Sequence, residues 1–402
     1  MSLSASMFSA VEMAPRDPIL GINDAFAADT NPDKVNLGVG VYYDDNGKLP
    51  LLQCVQAAEK LMMDSPKPRG YLPIEGIAAY DSAVKALVFG AESEPVKSGR
   101  IATAQGIGGT GGLKIGADFL KKLKPNATVL ISDPSWENHR ALFIQAGFEV
   151  QSHPYYDAVK RGINFEGMLA ALNAAAAGTI VVLHACCHNP TGYDITPEQW
   201  DQVIAVVKAR GLTPFLDMAY QGFGHGIVED GAAVAKFVAA GLSFFVSTSF
   251  SKSFSLYGER VGALSVLCAS KEEADRVLSQ LKLVIRTNYS NPQIHGGTVV
   301  ATVLNTPALR GQWEGELTEM RVRIKAMRQK LVDGLKAAGV KQDMSFITDQ
   351  IGMFSYSGLS KDQMQRLRSE FGVYGTDAGR MCVAALNSKN IDYVCASIAK
   401  VV

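Results

Sequence analysis

The stretch TIVVLHACCHNPTGYDITPEQWDQVIAVVKARGLTPFLDM, residues 179–218, decides the fold. It opens and closes on apolar, β-branched runs, TIVVLHA (179–185) and TPFLDM (213–218), which read as strands buried on both faces. Between them TPEQWDQVIAVVKARG (196–211) has a threonine to cap a helix, a proline in the first turn and a glycine to close it. Strand, helix, strand at this spacing is a βαβ unit, and such units build parallel sheets.

Outward from that unit the pattern repeats. ATVLIS (127–132), FFVSTSF (244–250) and GALSVLC (262–268) read as further buried strands, and RIATAQ (100–105) as another. The expectation is an α/β fold, a mostly parallel sheet flanked by helices over residues 50–310. After about residue 310 the pattern changes. Residues 312–339 read as one long amphipathic helix ending at Gly339, followed by MFSYSG, the helix SKDQMQRLRSEFG, the strand RMCVAAL and a terminal helix. This predicts a smaller α+β domain from residues 311–402, joined by an N-terminal arm, 1–49, that packs on it or crosses to a neighbouring chain.

Composition narrows the function. The 402 residues are 47% hydrophobic, and Lys+Arg balance Asp+Glu at 39 each, so no general attraction to nucleic acid or membrane surfaces is expected. The six cysteines show no CxxC spacing, and Cys186 and Cys187 are adjacent; packed thiols in a reducing compartment are expected. MSLSAS at the start lacks the basic and apolar pattern of a leader, and no apolar run is long enough to span a membrane, so a cytoplasmic location is expected.

Ligands of open α/β sheets sit beyond the carboxyl ends of the strands. Those exits carry Asp133 and Trp136, then His184, His188 and Asn189, then Asp217 and Tyr220, then Ser249, Ser251 and Lys252. There is no metal-ligand spacing and no G-x-S-x-G elbow. A glycine turn, GIGGTGG (106–112), opens a helix and offers free backbone N–H groups to a phosphate. It also fits G-x-G-x-x-G, with Asp133 at a later strand end, so a nicotinamide oxidoreductase is one reading. Lys252 argues for another. It follows a buried strand, stands between Ser251 and Ser253, and precedes Arg260 in SFSKSFSLYGERVG (249–262). An amine to condense with an aldehyde, a phosphate cradle with Arg260, and Asp217 to hold a ring nitrogen protonated are what pyridoxal 5'-phosphate needs. Each residue also has a plainer reading: Asp217 as a helix cap, Trp136 as core, Asn189 as turn chemistry before Pro190. His153, His188 and His225 read as packed core imidazoles, and His139 and His184 either as core or as groups that orient Asp217.

SFSKSFSLYGERVG resembles the lysine signature of class I (fold type I) pyridoxal-phosphate aminotransferases. HACCHNPTG (184–192), DMAYQGF (217–223) and NYSNPQIHGG (288–297) are similar to the aspartate/aromatic-amino-acid subgroup, and SLYGERVG and GRMCVA most resemble its bacterial aromatic (tyrosine) members. The resemblance runs from about Phe8 to the C-terminus. It implies a seven-stranded large-domain sheet and a homodimer that transfers the amino group of tyrosine, phenylalanine or aspartate to 2-oxoglutarate. A strict aspartate aminotransferase is the alternative, and a pyridoxal-phosphate protein that has become a regulator is disfavoured by the absence of any basic DNA-binding segment.

The resemblance also implies roles. Lys252 would carry the cofactor and move the proton. Asp217 would pair with the ring nitrogen, Asn189 and Tyr220 would bond the ring oxygen, and Trp136 would lie against the ring. Gly109, Thr110, Ser249, Ser251 and Arg260 would hold the phosphate, with Tyr71 of GYLPIEG reaching over from the other subunit. Arg380 would grip the substrate α-carboxylate near Gly40, and Arg286 of the partner subunit would meet a side-chain carboxylate. The cradle departs from many relatives in having Gly108 where they have serine, and Ser253 follows the lysine where asparagine or a larger residue is usual.

Overall fold

The computed structural model describes residues 6–15, 17 and 19–402; residues 1–5, read above for a leader, lie outside them. Seven strands form the main sheet: β1 (Ile101–Ile107), β2 (Thr128–Asp133), β3 (Glu149–Pro154), β4 (Ile180–His184), β5 (Thr213–Met218), β6 (Phe244–Ser249) and β7 (Val261–Leu267). Their order is β1-β7-β6-β5-β4-β2-β3. Neighbours are parallel except β7, which runs antiparallel to both β1 and β6.

Alternation explains why the strands are apolar throughout. Val181, Leu183, Leu216 and Val246 point into one core, while Ile180, Val182, Phe215 and Phe245 point into a second core on the opposite face. The helix inside the βαβ unit, Pro197–Arg210, is bounded as its sequence predicts. Thr196 and Gln199 form a capping box, and Gly211 ends the helix in the left-handed conformation at φ 62°. β3 was not expected: Glu149, Gln151 and Ser152 face solvent, because an edge strand needs no apolar outer face.

The chain ends depart from the reading in detail. The long helix is Pro307–Ala337, beginning earlier than residue 312 because Pro307 suits a first turn. RMCVAAL is a strand only over Arg380–Cys382 before it tightens into a 3₁₀ turn, Val383–Ala385. Arg380–Cys382 pairs antiparallel with Phe354–Tyr356, and Val35–Asn36 pairs parallel with Val373–Tyr374, so the two chain ends share a sheet. Among the described residues no helix is long and apolar enough to cross a membrane.

Candidate active site

The carboxyl ends of β1, β6, β5, β4 and β2 lie on one edge of the sheet, and reversed β7 begins there. Reversal has a consequence: the loop between β6 and β7 leaves and returns at the same edge, so Lys252 and Arg260 stay together. Register sets Gly262 opposite Ser249 on one side and Gly106 on the other. A helix, Gly108–Leu123, starts directly after β1 with no side chain capping its first turn. The Gly108 N–H donates to the Arg260 carbonyl at 2.8 Å, which sets the uncapped first turn beside Ser249 and Arg260.

Glycines set how close these groups stand. A Cβ on Gly109 would lie 3.0 Å from Ser249 Cβ, and one on Gly108, at φ +65°, would lie 2.4 Å from an Arg260 guanidinium nitrogen. Arg260 thus fills the space that a side chain at position 108 would need. The guanidinium donates to Ser251 Oγ at 3.3 Å and to the Tyr257 carbonyl at 2.9 Å. A hydroxyl pair, a fork-shaped cation and a helix N-terminus make a donor set that fits a phosphate. Thr110 sits half-buried in the same first turn.

Asp217 is the penultimate residue of β5 and is 7% exposed. Burial works against its charged form, but a 2.7 Å hydrogen bond from His139 Nε2 and the nearby charge of Lys252 outweigh it, holding the carboxyl below the usual range. Behind it runs a buried chain. The Asn189 N–H donates to His184 Nδ1 at 3.5 Å, His184 Nε2 meets Ser135 Oγ at 3.1 Å, and Ser135 Oγ meets His139 Nδ1 at 2.9 Å. A backbone N–H can only donate, so the chain closes consistently when each member passes a proton toward Asp217. Burial pushes His184 well below its ordinary value, which keeps it neutral for this purpose. His139 and His184 therefore belong to the group around Asp217, and Ser135 joins them; the sequence signal for Ser135 was only its place beside Trp136. Trp136 starts the helix that carries His139 (Glu137–Gln145), and the two rings meet edge-on at 5.3 Å.

Lys252 Nζ lies 5.1 Å from the centroid of the Tyr220 ring. The lysine is half-buried in the cleft, and its desolvation pushes the amine down to about 8; Asp217 works against this, while Arg260 and Arg380 add to it. Tyr220 is raised by burial. Across the cleft, Arg380 is 2% exposed and donates to Asn189 Oδ1 at 3.0 Å and to the Gly38 carbonyl at 2.6 Å. Its guanidinium lies over the Phe354 ring, 4.4 Å from the centroid. Gly40 is a glycine because a Cβ there would stand 2.6 Å from Phe354 Cζ. Sequence reasoning passed over Phe354 and Gly38, since neither residue type signals a site.

Two expected members stand apart. Tyr71 is 95% exposed on this chain, and Arg286, exposed in the last turn of the helix Lys271–Asn288, is hydrogen-bonded to Ser290 rather than to the Lys252 cluster. The nicotinamide reading fails on topology. In a dinucleotide fold the acidic residue ends the strand beside the glycine turn. Here four strands separate β1 from β2, five spacings of about 4.8 Å or roughly 24 Å, so Asp133 lies out of reach of the Gly106–Gly111 turn.

A doubly covered α/β sheet, with a depressed-pKa lysine, a phosphate-shaped donor set and a buried carboxylate on one edge, defines an enzyme scaffold for a phosphorylated carbonyl cofactor. The match is more specific than that. Residues 32–398 fit the family of class I and II aminotransferases, and the chain belongs to it. It is 63% identical to the aspartate aminotransferase of Pseudomonas aeruginosa over 98% of this chain and 100% of that one. It is 51% identical to the aromatic-amino-acid aminotransferase of Escherichia coli, again over 98% and 100%. The crystal structure of an aromatic-amino-acid aminotransferase from Burkholderia pseudomallei, covalently bound to pyridoxal phosphate, superposes with a TM-score of 0.96 at 65% identity, covering 98% of this chain and 99% of that one.

Proposed function

We propose that this chain is a pyridoxal-phosphate-dependent aminotransferase that moves the amino group of aspartate and of aromatic amino acids to 2-oxoglutarate. The observation that carries it is the joint placement of Lys252, Asp217, Arg260 and Arg380 around one cleft, in a chain so similar to enzymes named for both substrate classes. Bound there, pyridoxal phosphate would supply an aldehyde to capture amines and a ring that withdraws electrons from the substrate's Cα.

The chain's own residues do the rest. Gly109, Thr110, Ser249, Ser251 and Arg260 would hold the phosphate. Asp217, kept ionised by its hydrogen bond from His139, would hold a proton on the ring nitrogen, Asn189 and Tyr220 would donate to the ring oxygen, and Trp136 would contact the ring. Arg380 takes the α-carboxylate and orients the Cα–H bond toward Lys252. The lysine amine, partly unprotonated near neutral pH, removes that proton and returns it. The exchange is ping-pong, the first oxo acid leaving before the acceptor enters.

The same reading gives the molecule two parts, 50–310 and 1–49 with 311–402, supported by the pairing of Val35–Asn36 with Val373–Tyr374. It makes the enzyme a homodimer in which the partner subunit's Tyr71 and Arg286 complete each site, a use for a tyrosine otherwise left bare. Six free, buried cysteines support a reducing, cytoplasmic setting. Borohydride reduction of the holoenzyme and peptide mapping test the assignment: the label falls on Lys252, and a labelled peptide lacking it overturns the reading. Turnover of aspartate with negligible turnover of tyrosine and phenylalanine would instead mark a strict aspartate aminotransferase.

A further inference from the structure

Arg328 has no role in the reaction above, yet it is a buried cation. It lies inside the long helix Pro307–Ala337 and is 3% exposed. Its guanidinium donates to three backbone carbonyls: Ile347 at 3.4 Å, Gly352 at 2.7 Å and Phe354 at 2.8 Å. Among the described residues no carboxylate pairs with it, and burial pushes it down to about 10. A buried arginine without an acid is costly, and packing alone is served better by leucine or methionine. Its donors must therefore be read by what they hold.

They hold one short segment. The Phe354 carbonyl faces Arg328, while the Phe354 ring lies under the Arg380 guanidinium and edge-on to Tyr220 at 5.8 Å. On its other side the segment is pinned to the turn that carries Asn189. The Ile351 N–H donates to the Gly192 carbonyl at 2.7 Å, and a Cβ on Gly192 would stand 3.0 Å from the Phe354 carbonyl oxygen. A Cβ on Gly352 would stand 2.6 Å from Cys187 Cβ. Phe354 can shift toward neither side while Arg328 holds its carbonyl.

We infer that Arg328 is a positioning residue for the substrate-carboxylate site: it fixes Phe354 as the floor on which Arg380 presents its fork. The inference rests on the reading of Arg380 as the α-carboxylate ligand. It predicts that losing Arg328 or the Phe354 ring weakens carboxylate binding and leaves the cofactor's covalent and phosphate attachment alone, since neither residue touches Lys252, Asp217 or Arg260 and Phe354 meets that side only through the edge of the Tyr220 ring.

The probe is 3-phenylpropionate, which has one carboxylate and no amine, titrated into the pyridoxal-phosphate holoenzyme by calorimetry. Phe354→Leu and Arg328→Met are each expected to raise its Kd about 30-fold, the scale of a desolvated cation–ring contact. Arg328→Lys should recover part of the loss, pyridoxal phosphate retention should be unchanged, and the double variant should be within about twofold of the weaker single, as expected for one linked unit. Where Arg328→Met does not fold, Arg328→Lys alone and combined with Phe354→Leu decides the same comparison. An unchanged Kd in Phe354→Leu, additive losses, or equal loss of cofactor retention overturns the inference. Arg380→Ala separates the two layers: if it leaves the Kd unchanged, the carboxylate reading itself falls and this inference with it. If it weakens binding while Phe354→Leu does not, only the positioning role falls.

Discussion

Arg380 and Asn189, 191 residues apart, are joined by a 3.0 Å hydrogen bond from the guanidinium to the side-chain carbonyl. The bond ties the strand pair at the chain's end to the turn after β4, and brings the proposed carboxylate ligand beside the proposed ring-oxygen donor. Any substrate must share or displace it. Because every amino acid and oxo acid carries an α-carboxylate, loss of the fork should act on all of them alike. Arg380→Lys keeps the charge and loses the planar pair of donors. It should lower kcat/KM about 100-fold for aspartate, tyrosine and 2-oxoglutarate, the scale of truncating a buried charged contact. Steady-state kinetics on the three substrates checks this, and a selective loss for one of them contradicts it.

Burial is the largest of the causes that push the Lys252 amine down from its ordinary 10.5 to about 8. Burial disfavours the charged form, so the amine is free and nucleophilic above about 8. The rate at which cofactor-free enzyme captures pyridoxal phosphate should therefore rise with pH to a half-maximum near 8. Asp217 works in the opposite sense, stabilising the protonated amine. Asp217→Asn should move that midpoint lower, while Lys252→Ala should abolish capture at every pH. A midpoint near 10 in the wild type would show that the cleft does not desolvate the amine.

Much of this arrangement is legible in the chain, for physical reasons that also mark where legibility ends. Ile180–Leu183 is apolar on both faces because two cores meet there, and Thr196 with Gln199 announces a helix by satisfying its first N–H groups locally. Lys252 stands out because a charge directly after a buried strand needs a purpose. The direction of β7 leaves no such trace: a strand buried on both faces reads the same either way, and only pairing with β1 and β6 orients it. β3 hides because its residues are polar at the sheet's edge. Arg380 sits on a strand too short to show periodicity, and its partners Asn189 and Gly38 are distant in sequence. For Arg380 the family motif carried information that no local pattern holds.

Gly262 tests the cradle through the backbone. A Cβ there would stand 2.3 Å from the Gly108 carbonyl carbon and 2.7 Å from the Gly109 nitrogen, backbone atoms that cannot turn aside. Gly262→Ala must push the start of the Gly108–Leu123 helix away from Ser249. Overpacking of this kind costs about 1–3 kcal/mol. Thermal unfolding should fall by several degrees, and pyridoxal phosphate should be held more weakly even at temperatures where the fold is intact. An unchanged Tm with normal cofactor retention would mean that the strand and helix are not in contact as described.

In the proposed dimer Arg286 would decide between dicarboxylate and aromatic substrates, and its present partner makes the test sharp. It is exposed and its guanidinium is bonded to the Ser290 hydroxyl, a bond that a substrate carboxylate presented by a neighbouring subunit can replace. If it meets the side-chain carboxylate of aspartate across the proposed dimer, removing it leaves that carboxylate unpaired in a desolvated pocket, a loss of about 2–5 kcal/mol. Tyrosine presents no such charge. Arg286→Leu should thus lower kcat/KM for aspartate by at least about 30-fold, taking the low end of that range, and change tyrosine turnover little or raise it. Mixing Arg286→Leu subunits with Lys252→Ala subunits sharpens the assignment. In a mixed dimer one site has its lysine and, from the Lys252→Ala subunit, an intact Arg286, so aspartate activity should reappear on mixing two preparations that are each poor or inactive. Equal losses on both substrates, or no recovery on mixing, would place Arg286 outside the shared site.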